Sequence, residues 1–278
     1  MAIMEFQQVG KWFNNGEETV TALEGIDLSM EEGEFLSVIG PSGCGKSTLL
    51  YLAGGFSDAS SGTVRLDGNP ITGPGADRGM VFQNYSLFPW LTVRENVRYS
   101  LGLKRHRHWY RPVNEALGRS HYADHLVEVM GLGQFRDHYP RQLSGGMQQR
   151  VAIARTLAAK PRVVLMDEPF SALDAQTREE MQELLFLLRS VTRITVFFVT
   201  HDVEEAVYLS DRVVVLSRRP GNILTDSTIS IPGRPDLAIK HGTDFLKTKN
   251  EFTDLIRSQC ERQFDREVFL DLLQNQTK

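Results

Sequence analysis

The stretch GPSGCGKST, from Gly40 to Thr48, restricts this chain more than any other part of it. Its three glycines leave consecutive backbone N–H groups free to point into one concavity, because no Cβ stands in the way, and a nest of that kind at the start of a helix holds anionic oxygens. The spacing G-x-x-x-x-G-K-[ST] falls on Gly40, Gly45, Lys46 and Ser47, with Pro41, Ser42, Gly43 and Cys44 inside it and Thr48 following. In that pattern the lysine reaches the β and γ phosphates of a nucleotide and the hydroxyl serves Mg²⁺. The flanks agree. EFLSVI, from Glu34 to Ile39, suits a buried strand, and STLLYLAGG, from Ser47 to Gly55, reads as a helix that fades at its glycines.

A loop of this type needs a core behind it. The chain has 278 residues, 41% of them hydrophobic, which allows one large α/β domain or two modest subdomains. Lys and Arg number 31 against 35 Asp and Glu, a net charge of -4, so the basic excess of a dedicated nucleic-acid binder is missing and no nucleic-acid partner is expected. MAIMEFQQVGKWFNN has no basic region followed by an apolar core, and no window approaches the ~18 continuous apolar residues of a membrane span. Cys44 and Cys260 point to a reducing compartment rather than a disulfide framework, which makes the cytosol the expected location.

Along the chain, short apolar runs and turns up to about Ser37 predict small antiparallel strands, and GTVRLDGNPI, with a DG turn at Asp67 and Gly68, is expected to join the same sheet. From Asn84 to Ala159 the spacing is helical, as in ADHLVEVMGL and QQRVAIARTLAA, which predicts an inserted helical subdomain. RVVLM, ITVFFV and RVVVLS follow, separated by helical patterns, and strands alternating with helices imply a parallel sheet. Beyond Pro220, GNILTDSTISIPGRPD reads as a hairpin and linker. Two tail helices are then marked by Phe245, Phe252 and Ile256, and by Phe264, Val268 and Leu272.

RVVLMDEP ends an apolar strand in Asp167 and Glu168, at the carboxyl edge where open α/β sheets bind ligands. An acid there holds Mg²⁺ and a neighbouring base orients water for attack on the γ phosphate, which makes Glu168 the candidate base; a helix N-terminal acid pair is the plainer alternative. In LSGGMQQRVAIARTL, from Leu143 to Leu157, a Ser-Gly-Gly turn runs straight into a helix and makes a second anion-binding edge at Ser144, Gly145 and Gly146.

With these residues the chain resembles the ATP-binding-cassette ATPases. GPSGCGKST is similar to their Walker A loop, Gln83 to their Q-loop glutamine, LSGGMQQ to their signature, VVLMDE to their Walker B strand, SALD to their D-loop and His201 to their switch histidine. The resemblance implies an α/β fold of the P-loop NTPase type, with a RecA-like core, an antiparallel β subdomain and an inserted helical subdomain. It divides the chain into an ATPase domain over 1–235, its helical subdomain about 84–159, and a short helical tail over 236–278. ATP and Mg²⁺ are the implied cofactors, the metal being served by Ser47, Gln83 and Asp167. The family dimerises head to tail, so that Lys46 of one subunit and Ser144 of the other grip the same ATP. The partner is expected to be a second copy or a related cassette. Phe13 sits where the family stacks an aromatic on adenine, with Trp12 as rival and strand core as the other reading. Gln83 corresponds to the sensor of Mg²⁺ and attacking water, although a loop amide would look the same. His201 corresponds to the γ-phosphate ligand, and Asp174 to the residue that links the two sites, which an ordinary helix N-cap would also explain. Met147 stands where many relatives carry glutamine, at a position that need not touch phosphate.

GPGADRGMVFQNYSLFPWLTVREN and HDVEEAVYLSDRVVVLSRRPG further resemble the nitrate, sulfonate and taurine type of bacterial importer cassette. That implies a peripheral subunit on the cytoplasmic side of the inner membrane, bound to transmembrane permease subunits and fed indirectly by a substrate-binding protein. Residues Gln83 to Trp90 are the expected permease contact, with Tyr85, Leu87, Phe88 and Trp90 lining a groove or else packing as core. A non-transport cassette of nucleic-acid or translation machinery, or a P-loop kinase, are the alternatives; the first lacks its usual tandem cassette or coiled coil here, and the second leaves LSGGMQQ unexplained. KRHRHWYR, from Lys104 to Arg111, has no family counterpart and reads as a solvated basic loop, or as a contact for lipid headgroups, nucleic acid or metal.

Overall fold

The computed structural model describes residues 2–14, 16, 18–102, 119–231 and 237–259. The KRHRHWYR run, Cys260 and the second tail helix lie outside the described residues. The strands are β1 (Ala2–Asn14), β2 (Thr19–Glu31), β3 (Phe35–Ile39), β4 (Ser61–Leu66), β5 (Asn69–Pro70), β6 (Arg78–Val81), β7 (Val163–Asp167), β8 (Thr195–Val199), β9 (Arg212–Leu216) and β10 (Ile223–Thr228). The α-helices are α1 (Lys46–Gly54), α2 (Val93–Arg98), α3 (Arg119–Val129), α4 (Gly145–Ala158), α5 (Ala175–Thr192), α6 (Val203–Leu209) and α7 (Thr243–Ser258).

The strands form two sheets, an antiparallel one ordered β2-β1-β4-β5 and a larger one ordered β10-β9-β3-β8-β7-β6. In the larger sheet the five strands from β9 to β6 are parallel, and β10 pairs antiparallel with β9 at the edge. The apolar runs of β3, β7, β8 and β9 are nearly continuous because both faces are covered there. Phe35, Val196, Phe198, Val213 and Val215 face a core shared with Leu185, Ala206 and Tyr208 of the helices. Leu36, Val38, Phe197, Val214 and Leu216 face the opposite core, which α1 closes with Leu49 and Leu50 and the antiparallel sheet with Met4, Phe6 and Leu28. Each fully buried side chain of this size stabilises the fold by about 1.5–3 kcal/mol. The two layers fix the central strands, and with them the carboxyl edge where the loops meet.

Three elements differ from expectation. The N-terminal runs are two long strands whose register shifts at bulges, not several short ones. GNILTDST forms no hairpin of its own, because its strand pairs back onto β9. Residues Arg78 to Val81, which the apolar pattern does not single out, supply the sixth strand of the larger sheet.

Candidate active site

The loop from Gly40 to Gly45 joins β3 to α1. Gly45 caps the helix at φ 102°, and a Cβ there would lie 2.7 Å from Leu23 Cδ2, so both the backbone angle and the space demand glycine. Lys46 is buried at 6% exposure, and its ammonium donates to the carbonyls of Gly40 (2.9 Å) and Pro41 (3.0 Å). Cys44 lies under the loop, with Sγ 3.9 Å from that ammonium. Burial pushes its thiol above the ordinary range, against the pull of Lys46. A buried, protonated thiol reacts slowly. Maleimide is therefore expected to modify Cys44 on the order of tenfold more slowly in the folded protein than in urea, and the modified fraction should fail to bind ATP; peptide mass spectrometry over a time course checks both.

At the start of α1 the Ser47 hydroxyl donates to Asp167 at the end of β7, 2.9 Å away. Tyr51, one turn further along the helix and on the same face, adds a second hydroxyl to the same carboxylate. Asp167 is 6% exposed, and burial raises its carboxyl above the usual range while the two hydroxyls act the other way. Tyr51 was not a candidate, although its i+4 spacing from Ser47 carried the signal. Among the described residues no cluster of three or more His, Cys, Asp or Glu could hold a metal by itself. A hydroxyl beside one buried carboxylate suits Mg²⁺, which takes hard oxygens and completes its shell with substrate phosphates and water.

Glu168 follows Asp167 with φ 44°, and its N–H donates to Val199 O (2.8 Å), so β8 holds it in the left-handed region. Such a conformation in a side chain other than glycine costs about 1–3 kcal/mol and is found where geometry matters to function. Its carboxylate lies 2.9 Å from His201 Nδ1, at the end of β8, and that ring is more than half exposed. Gln83, just past β6, donates to Ser171 Oγ (3.1 Å), which in turn donates to the Glu168 carbonyl (3.0 Å). Ser171, the first residue of SALD, thus ties Gln83 to Glu168 across a gap no local pattern spans. Gly40–Thr48, Asp167, Glu168, Gln83 and His201 are all set by the carboxyl ends of β3, β6, β7 and β8.

The second edge is built separately. Ser144 caps α4 by accepting from Met147 N–H (3.3 Å). A Cβ on Gly146 would lie 2.2 Å from Thr177 Cγ2, so α4 meets the start of α5 only through glycine. Asp174 caps α5, accepting from the Thr177 amide (3.0 Å) and hydroxyl (2.7 Å), and those bonds hold its carboxyl below the usual range. Among the described residues neither Ser144 nor Asp174 hydrogen-bonds to the Gly40–Thr48 loop. Trp12 and Phe13 are 41% and 44% exposed, so neither is strand core, and Lys11 Nζ stands 5.0 Å from the centre of the Phe13 ring. The hydrophobic residues after Gln83 divide: Leu87 packs against the core, Phe88 lies with tilted rings between Trp90 and Tyr99, and Trp90 is 69% exposed.

A glycine-rich phosphate loop on the carboxyl edge of a mainly parallel sheet, with an acidic strand end beside it, defines a P-loop nucleoside triphosphatase. Residues 23–171, more than half of the chain, match the family model described as ABC transporter, and the chain belongs to that family. It is 46% identical to the nitrate import ATP-binding protein NrtD of Synechocystis over 262 residues, 92% of this chain and 96% of that one. It is 45% identical over 247 residues to the bicarbonate transport ATP-binding protein CmpC of Synechococcus elongatus, 88% of this chain but 36% of that longer protein. The fold matches a dimeric, post-hydrolysis ATP-binding cassette bound to ADP and Pi, with a TM-score of 0.69, 34% identity, and coverage of 82% of this chain and 99% of that one. The protein is an ATPase.

Proposed function

We propose that this ATPase powers a bacterial importer of a small anion, of the nitrate, sulfonate or taurine-like kind, through a transmembrane permease to which it binds on the cytoplasmic face. The observation that carries the mechanism is the Glu168–His201 pair at the same sheet edge as Lys46 and Asp167. The nest from Gly40 to Thr48 takes the triphosphate, and Lys46 exchanges the carbonyls of Gly40 and Pro41 for the β and γ phosphates. Ser47 and Asp167, together with Gln83, would hold Mg²⁺, which would neutralise charge at the phosphates when bound. Glu168 takes the proton of the attacking water, and His201 orients that carboxylate and contacts the γ phosphate. Phe13 stacks on the adenine from its exposed position.

Ser144, Gly145 and Gly146 face no phosphate loop of their own chain by hydrogen bonding, which supports a head-to-tail pair in which they close the partner's site. Asp174, the N-cap of α5, is the residue we assign to communication between the two sites. We assign residues 1–235 to the ATPase unit, 84–159 to its helical arm and 236–278 to a tail. The exposed Trp90 and the rings beside it form the permease contact on that arm, and a substrate-binding protein supplies the anion from outside. The reading is tested by purifying tagged Glu168→Gln protein from solubilised membranes with ATP present. Co-purification of a multi-span permease is the expected result; nucleic-acid-bound partners without a permease would overturn it.

A further inference from the structure

His201 is exposed and its ring has one polar partner among the described residues, Glu168, so its position depends on the peptide that carries it. That peptide is fixed from behind. Thr200 Oγ1 accepts from the Asp202 amide (3.0 Å) and donates to Glu205 Oε2 (2.7 Å), beneath the His201 turn. Glu205 Oε1 accepts from the Gln182 amide (3.4 Å), and Gln182 Oε1 accepts from Lys240 Nζ (2.8 Å). Thr200, Glu205, Gln182 and Lys240 are 2%, 3%, 3% and 8% exposed. The chain of bonds therefore runs through the interior from the C-terminal segment to the residue before His201. Lys240 is held there by Glu204 (3.3 Å) and by the face of Tyr208, 4.9 Å from its ammonium, while Lys249 of α7 grips the other Glu204 oxygen at 2.5 Å. Arg178 lies 3.9 Å from Glu205 and 3.8 Å from Asp202, the remaining charges at this junction.

Burying four polar side chains in a line costs free energy unless every link is made, and a fully made line fixes geometry closely. Packing alone would be served as well by apolar residues at these places. We propose that Glu205 and Lys240 are positioning residues for His201, and that the C-terminal segment sets the rate of ATP hydrolysis through them. The proposal rests on His201 acting in hydrolysis. Two variants cut the line at its ends: Lys240→Met keeps the stem and loses the ammonium, and Thr200→Val keeps the shape and loses the hydroxyl. Each is expected to lower kcat about five- to tenfold with KM for ATP changed less than about twofold, because the phosphate loop is untouched. In a His201→Ala background, followed by single-turnover assays, either change should add less than about twofold.

If His201→Ala alone turns over at nearly the wild-type rate, the role of His201 fails whatever the network does. If His201→Ala is slow but Lys240→Met and Thr200→Val are as fast as wild type, or slow the His201→Ala enzyme by the same factor as the wild type, the positioning proposal is overturned. Should Lys240→Met fail to fold, the isosteric Thr200→Val decides the question by the same two comparisons.

Discussion

Glu168→Gln is expected to cut ATP turnover on the order of a thousandfold while leaving ATP affinity within a few-fold of wild type. The amide has the shape of the carboxylate, keeps a polar atom toward His201, and leaves the backbone bond from residue 168 to Val199 intact. It cannot accept a proton from water. Binding depends on the loop, Lys46 and the Ser47–Asp167 pair, none of which the change touches. The variant should therefore accumulate an ATP-bound dimer, visible by size-exclusion chromatography as a shift that requires ATP and reverses on its removal. Turnover near the wild-type rate would take Glu168 out of the chemistry and leave the water to another base.

Much of the fold could be read from residue pattern because its central strands are buried on both faces. RVVLM, ITVFFV and RVVVLS carry that double burial as continuous apolar runs. β6 does not, since Arg78 and Gly79 open it and only two apolar residues follow; it is a strand because Arg78 to Val81 pair in register with Val163 to Met166. The long N-terminal strands were obscured for a different reason. Gln8 at φ 49° and Gly25 at φ 59° look like turn positions, but the ladder absorbs them as irregularities, the first between Phe6 and Val9 and the second between Val9 and Lys11, and carries on.

The candidate site divides in the same way. Lys46, Asp167, Glu168 and His201 stand out because phosphate chemistry needs those residue types at fixed points of a local pattern. Tyr51 and Thr177 do not, since each matters through one contact to a residue elsewhere: Asp167 and the space above Gly146. Ser171 stands within SALD, but its bond to Gln83 shows in no local pattern. Cys44 shows the limit from the other side. Its place in the loop is plain from the sequence, whereas its burial, which governs its reactivity, comes from the packing of Leu23 and Leu216 around that loop. The line from Lys240 to Thr200 was invisible for the same reason, because its links join residues on four separate helical and loop segments.

The same line makes a pH dependence that few carboxylates would show. Burial pushes the Glu205 carboxyl up to about 7 from its ordinary 4.5, with Asp202 adding to the rise and Thr200, Arg178 and Gln182 opposing it. Between those two values the folded protein holds a proton that the unfolded chain has lost. The folded state then binds more protons, and the free energy of unfolding must fall as pH rises through that window. The loss levels off above pH ~7 at about 3 kcal/mol, at roughly 1.4 kcal/mol for each pH unit. Glu205→Gln removes the titration and keeps a side chain able to accept from Gln182 and to bond Thr200. Other titrating groups are common to both proteins and cancel in their difference. Urea unfolding of the two at pH 5 and pH 8 should therefore show their relative stability moving by about 2 to 3 kcal/mol in favour of the variant at the higher pH, the rest of the loss falling below pH 5. A difference that stays constant between the two pH values would mean that Glu205 is ionised throughout, with Arg178 and Lys240 compensating its charge in full.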